Sequence, residues 1–300
     1  MGWRIIHVTD VNHIALNLNS LKITKGDLEV KVPLGDIFAL IIEDLTVTVS
    51  TRLLVELSDY NILVILCNQK HLPECVIQPI AGHFNQYKQI KEQIDWNDDF
   101  KKILWQQIIK QKIMNQIGCL KFIQIDIKRI EKMKELQSLV QVGDTQNIEG
   151  QAAKYYFNSL FKSFNRDDDE LLENAVLNYG YTILNAAVAR TIVAKGLLPA
   201  IGIHHIGSRN HFNLASDIVE PFRPLVDLFL VKHPPVDFLT KDYRVKLINL
   251  MHARILIDNK METVIRAIEI TIQSIIDYFK TGDIEKIKLP SIKRYEYYEL

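Results

Sequence analysis

The feature that most constrains this chain is a change of hydrophobic period between Pro73 and Asn85. Before it, short β-rich runs alternate with turn residues: Arg4–Val8, His13–Leu18, Leu21–Thr24, Leu28–Val32, Ile37–Ile42, Leu45–Val49 and Ile62–Cys67. Asp10, Asn12, Asn19, Gly26 and the Pro33–Gly35 stretch supply the breaks, and Ser50 caps an expected helix over Thr51–Leu57. After it, segment after segment repeats at about 3.6 residues. Helices are expected over Gln86–Gln93, Asp98–Ile117, Ile127–Leu139, Ile148–Phe164, Asp169–Ala194, Leu214–Leu230, Thr240–Leu256 and Met261–Thr281. Gly196 and Gly282 fit as C-terminal stops, and Pro199 and Pro234–Pro235 as breakers. The pattern predicts an α+β chain: a small N-terminal mainly-β domain followed by a larger all-α C-terminal domain. The expected boundaries are a β domain over residues 1–78, a linker over 79–90 and a helical domain over 91–300. A small sheet with open edges commonly pairs with another subunit, so the β domain is the expected dimerisation surface.

At 300 residues and 48% hydrophobic side chains, the chain has enough apolar material for two cores. Its most apolar run, Leu40–Val49, is interrupted by Glu43 and Asp44, so no membrane span is expected. The start MGWRIIHV lacks the apolar segment of a secretion signal. Cys67, Cys75 and Cys119 have no metal-binding spacing and read as reduced thiols of a cytoplasmic protein. Net charge is zero, yet nine Lys and Arg fall between Lys101 and Lys134, at 101, 102, 110, 112, 121, 128, 129, 132 and 134. Such a run is either a solvated helix face or a basic surface for nucleic acid.

Chemistry concentrates in Gly202–Arg223, GIHHIGSRNHFNLASDIVEPFR. His204 and His205 lie in a turn-rich loop, and in extended backbone they would point to opposite sides, leaving one to reach a given site. His211 is a weaker third. Asp217 and Glu220 are three apart, which places both on one helix face. Pro221 cannot donate to the carbonyl of Asp217, so a kink is expected there. Arg223 can pair with either acid or with a phosphate. Glu149 opens a helix whose Ala153, Tyr156, Leu160 and Phe164 form a core stripe; its alternative role is a first-turn acid favoured by the helix dipole. A histidine beside two or three carboxylates suits Mg²⁺ or Mn²⁺ and phosphate chemistry. Ser159–Lys162 and Lys280–Gly282 follow the order of a penicillin-binding site but lie in helical periods, without the intervening Ser-Asp-Asn. No phosphate-cradling GxxxxGK[ST] or GxGxxG occurs.

With those residues in hand, the chain resembles the CRISPR-associated Cas1 integrase family, in its type II branch. The resemblance runs through GWRIIHVTDV, LSDYNILVILCNQKHLP, GHFNQYKQIKEQIDW, NIEGQAAKYYF, LNYGY and GIHHIGSRNHFNLASDIVEPFRPLVD. It implies dimers through the β domain, two of which flank a dimer of the small Cas2 protein in a heterohexamer that inserts captured DNA into the CRISPR repeat. It implies that Glu149, His205 and Glu220 are the catalytic, metal-binding residues, with Mg²⁺ or Mn²⁺ as the ion. Glu220 stands where many relatives carry Asp, which lengthens that arm by one methylene. Asp217 is implied as a supporting acid. His204 and either Arg223, Lys154 or the Lys101–Lys134 helices are expected to touch DNA, and the sequence does not select among them. The implied reaction is attack of a 3′-hydroxyl on a phosphodiester; a stand-alone nuclease using water, or a non-catalytic DNA scaffold, are the competing readings.

Overall fold

The computed structural model describes residues 2–80, 82–161, 164–168, 170–236 and 238–298. In chain order the elements are β1 Arg4–Val8, β2 His13–Asn17, β3 Ser20–Lys25, β4 Leu28–Pro33, β5 Ile37–Ile42, β6 Thr48–Val49, α1 Thr51–Asp59, β7 Leu63–Cys67 and β8 Pro73–Ile77. There follow α2 Gln86–Ile94, α3 Asp98–Phe122, α4 Ile127–Leu139, α5 Ile148–Leu160, α6 Leu172–Ala194, α7 Asn213–Val219, α8 Pro224–Lys232 and α9 Lys241–Asn249. The chain closes with β9 Arg254–Ile257, β10 Lys260–Thr263, α10 Val264–Thr281 and β11 Ser291–Glu296. Lys162 and Asp169, at the ends of two expected segments, lie outside the described residues.

Contacts divide the chain into two compact units, Met1–Ile90 with Ala189–Leu197, and Lys91–Val188 with Leu198–Leu300. The first unit therefore takes in residues 79–90 and the C-terminal end of α6. It holds two four-stranded sheets, ordered β1-β5-β7-β8 and β4-β3-β2-β6. In the first of these, β1, β5 and β7 run parallel. Every residue of β5, IFALII, is buried, as a strand covered on both faces requires. One face packs Val8, Leu40, Ile42 and Val64 into a core with Ile14, Leu21, Leu53 and Leu57. On the other, Arg190 of α6 lies over the Phe38 ring and donates to the Asn61 carbonyl at 2.7 Å.

The second unit is built around α3. Its buried residues, from Leu104 to Leu120, fall on more than one face, which marks a helix enclosed by others. Asn97 caps its start by accepting from Asp99 N and Phe100 N. This unit is helical as expected, with one addition: an antiparallel three-stranded sheet ordered β10-β9-β11. The helix expected over Thr240–Leu256 stops at Asn249, and the start of the one expected over Met261–Thr281 is strand. Asp258 and Asn259, both at positive φ, form the two-residue turn that joins β9 to β10. The terminal LPSIKRYEYYEL contributes β11 to the same sheet. The helix expected over Leu214–Leu230 is broken into α7, a 3₁₀ turn at Glu220–Phe222 and α8, because Pro221 and Pro224 cannot donate to preceding carbonyls.

Candidate active site

Glu149 is placed by an unusual helix start. Asp144 sits at φ 46° and Asn147 at φ 51°, and the chain turns tightly before α5. The Asp144 carboxylate then accepts from Ile148 N and Glu149 N, both at 2.9 Å, satisfying two of the free N–H groups of the first turn. Glu149 is thus both a first-turn acid and a member of a site.

The loop that carries the histidines is pinned from behind. Gln93, fully buried, donates to the carbonyls of Leu198 and Ile201 and accepts from Leu198 N. Asn213 donates to Ala200 O and Gly207 O. The centre of the loop is wrapped around Asp217, which has no solvent exposure. Asp217 Oδ2 accepts from Ile203 N at 2.6 Å and His204 N at 3.1 Å; Oδ1 accepts from His205 N at 3.1 Å and meets His205 Nδ1 at 2.7 Å. Three consecutive N–H groups aimed at one carboxylate curl the backbone, so the extended geometry expected of His204 and His205 does not occur. Both rings instead gather on Trp105: His204 stacks flat on it at 4.2 Å and 2°, and His205 meets it edge-on at 5.7 Å. Burial against Trp105 lowers the His204 pKa, whereas the hydrogen bond to Asp217 raises that of His205. A carboxylate on Nδ1 selects the tautomer that leaves Nε2 as a lone-pair donor.

Glu220, in the 3₁₀ turn after α7, is almost wholly buried. Its Oε2 lies 2.5 Å from Lys112 Nζ and its Oε1 lies 3.1 Å from Arg223 Nε. Lys112 Nζ also donates to Glu149 Oε1. One buried ammonium from α3 thus joins carboxylates that are 71 residues apart in the chain. Burial works against the Lys112 charge, but Glu220 and Glu149 outweigh it and its pKa lies above the ordinary value. Burial likewise opposes the Glu220 charge, and Lys112, Arg223 and then His205 overcome it, holding the carboxyl below its usual range. Neither Glu220 Oε2 nor Arg223 Nε is aligned for a hydrogen bond despite the short ion-pair distances. Arg223 is one-third exposed, and its guanidinium lies 4.8 Å from the centre of the Tyr181 ring. Below it, the Tyr181 hydroxyl donates to Asp227, a fully buried acid whose pKa burial pushes up to about 6.

The structure therefore brings Glu149 and Glu220 together and seats His205 on Asp217 beside them. As the side chains stand, no group of three His, Cys, Asp or Glu among the described residues is arranged to hold a metal ion; Lys112 engages the two glutamates. The donor set nonetheless fits a hard divalent ion. Two carboxylates already share one cation, Glu220 Oε2 is buried without an aligned hydrogen bond, and His205 presents Nε2 with Nδ1 tied to an acid. Lys154 is exposed, and His204 is exposed apart from the ring face stacked on Trp105, whereas Lys112 is buried and belongs to no basic surface. Sequence reasoning missed Asp144, Trp105 and the role of Lys112. The available signal was position: Lys112 continues the Trp105, Ile108, Ile109 stripe of α3 at helical spacing, where a lysine is out of place unless it is paired.

The fold and site define a two-unit α+β protein with an acid–histidine centre set among helices. The chain belongs to the CRISPR associated protein Cas1 family, whose model matches residues 6–269. It is 34% identical over 305 aligned residues to the CRISPR-associated endonuclease Cas1 of Neisseria meningitidis serogroup C, covering 99% of this chain and all of the relative. Among solved structures, a CAS1 protein from Thermotoga maritima superposes with TM-score 0.75 at 17% identity, over 93% of this chain and 97% of that one. A casposase bound to an integration product gives TM-score 0.66 at 19% identity, over 99% and 95%. A chain of a Cas6-RT-Cas1–Cas2 complex gives 0.72 at 20% identity, over 95% of this chain and 36% of that longer one. Among the described residues no helix is long and apolar enough to cross a membrane.

Proposed function

We propose that this protein is the DNA integrase of CRISPR adaptation, joining the 3′-hydroxyl ends of captured DNA fragments to the CRISPR repeat by metal-dependent transesterification. The observation that carries the reading is the pair of carboxylates, Glu149 and Glu220, sharing one cation position beside an imidazole held by Asp217. Similarity to an integration-product complex and to a Cas1–Cas2 assembly supports DNA as substrate and a Cas2-type protein as partner. Pairing of two copies through the β-rich unit completes the proposed assembly.

Glu149, His205 Nε2 and Glu220 would hold Mg²⁺ or Mn²⁺, which supplies Lewis-acid polarisation of a phosphoryl oxygen. The chain's own groups do the rest. Asp217 fixes the ring of His205 and the backbone from Ile203 to His205. Arg223, held by Glu220 and Tyr181 yet partly open to solvent, offers its remaining N–H groups to a non-bridging phosphate oxygen. Lys154, on the same helix as Glu149, and His204 extend contact to the flanking backbone. In the reaction the attacking 3′-oxygen forms a new P–O bond and gives up its proton. The displaced 3′-oxygen takes the electron pair of the broken bond and is protonated. One phosphodiester replaces another, so no nucleotide hydrolysis is needed.

The test is strand transfer with purified protein, its Cas2-type partner, a 3′-hydroxyl duplex and a repeat-bearing plasmid, with Mg²⁺ or Mn²⁺. Covalent joining that requires metal and disappears in Glu149→Ala, His205→Ala and Glu220→Ala supports the proposal. Joining that persists in the variants overturns the site, and cutting without joining overturns integration in favour of hydrolysis.

A further inference from the structure

Lys112 has no place in the reaction just described, yet it stands at the centre of the site. It projects from the buried stripe of α3, its side chain is 9% exposed, and its ammonium touches one oxygen of each glutamate. A lysine in that position does what a divalent ion would do electrostatically. It neutralises two carboxylates that would otherwise face each other in a poorly solvated space. It also engages Glu149 Oε1 and Glu220 Oε2, carboxylate oxygens that the proposed metal site would draw on.

We infer that Lys112 is the resident cation of the metal-free centre and that metal binds by exchange with it. The inference rests on the proposed metal site. With no metal present, Lys112 holds Glu149 and Glu220 in place and keeps the cluster charge-balanced together with Arg223. When a divalent ion takes the carboxylates, the flexible stem of Lys112 withdraws its ammonium toward the open side, where a DNA phosphate is its natural partner. No covalent step is involved; one cation replaces another.

The experiment is a Mn²⁺ titration of the full chain without DNA, by calorimetry and by the electron paramagnetic resonance of free Mn²⁺, comparing wild type, Lys112→Met and Glu149→Gln. Lys112→Met removes the competitor, so its Kd for Mn²⁺ falls at least about tenfold, while its metal-free thermal midpoint drops and is restored by Mn²⁺. Because that variant can fail to fold, the wild type is also footprinted with an amine-acetylating reagent, using exposed Lys154 as internal reference. Lys112 is protected without Mn²⁺ and labelled with it. Equal Mn²⁺ affinity in wild type and Lys112→Met, or protection unchanged by saturating Mn²⁺, overturns the inference and leaves the metal site standing. Absence of any Mn²⁺ binding that Glu149→Gln weakens overturns the metal site itself.

Discussion

Asp217→Asn tests how the histidine loop is held. Asp217 takes four contacts, two on each oxygen, and is itself fully buried. An asparagine keeps one acceptor oxygen and replaces the other with an NH₂ group. The amide oxygen is expected to stay with Ile203 N and His204 N, since Ile203 N makes the shortest bond of the set at 2.6 Å. The NH₂ then faces His205 N and Nδ1. A hydrogen bond to a charged acceptor contributes about 1.5–3 kcal/mol. Loss of the His205 N bond, with weakening of the others as the charge disappears, costs roughly 3 kcal/mol. At ~2–4 °C per kcal/mol the midpoint of thermal unfolding falls by about 6–12 °C. Nδ1 can now pair only by accepting, which moves the proton to Nε2 and removes the lone pair proposed to meet the metal. Affinity for Mn²⁺ is expected to fall by about 10- to 100-fold. Thermal unfolding, ¹⁵N spectra of labelled imidazoles and Mn²⁺ titration check these three outcomes. A variant with an unchanged midpoint and a His205 still protonated at Nδ1 would refute the reasoning.

The same loop predicts that Gly202→Ala abolishes strand transfer, because a Cβ there would lie 2.2 Å from His205 O and 2.9 Å from Asp217 Oδ2; full activity in the variant would show that the loop yields. Trp105→Leu removes the flat partner of His204, so the His204 pKa, lowered by burial, is expected to rise toward its ordinary value in an NMR titration. Asp227 titrates at about 6 in the folded chain against an ordinary value of 3.8. The folded state therefore binds the extra proton, and the contribution of this group to stability, about 3 kcal/mol, is fully present below pH ~4 and lost as pH rises through ~6. Asp227→Asn, which cannot ionise, is expected to flatten that slope, and thermal midpoints measured across this range in both proteins would coincide in shape if burial of Asp227 had no such effect.

Much of this was legible in the chain because local patterns carried it. Alternating and 3.6-residue periods announced the β-rich and helical regions, and the spacing of Asp217, Glu220 and Pro221 announced a kinked acidic turn. What escaped had a weaker local signal. The hairpin of β9 and β10 is only eight strand residues around Asp258–Asn259, and its apolar content blends with the neighbouring helical period. The strand β8 opens on a proline and was hidden as a break. Asp144 acts through a left-handed backbone that sequence does not announce in a non-glycine residue. Lys112 counted among the basic residues of a run read as either a solvated helix face or a nucleic-acid surface, and only its register with Trp105, Ile108 and Ile109 set it apart.

That register also bears on why the position holds a lysine. The two glutamates and the two cations, Lys112 and Arg223, balance as formal charges, so the buried cluster needs no further counter-ion to exist. An arginine at 112 would balance it equally and would bind both carboxylates through a rigid planar fork, closing the centre to anything else. A lysine presents a compact point charge on four rotatable carbons. Of the two cationic side chains it comes closer to a metal ion in shape, and it can be drawn out of the site without breaking a bidentate pair. Arg223 occupies the complementary place, beside Glu220 and against the Tyr181 ring at the edge of the cluster, where a fixed fork suits a phosphate better than a mobile ammonium. The division follows from burial: the cation proposed to exchange lies inside, and the oriented one lies at the edge, one-third exposed.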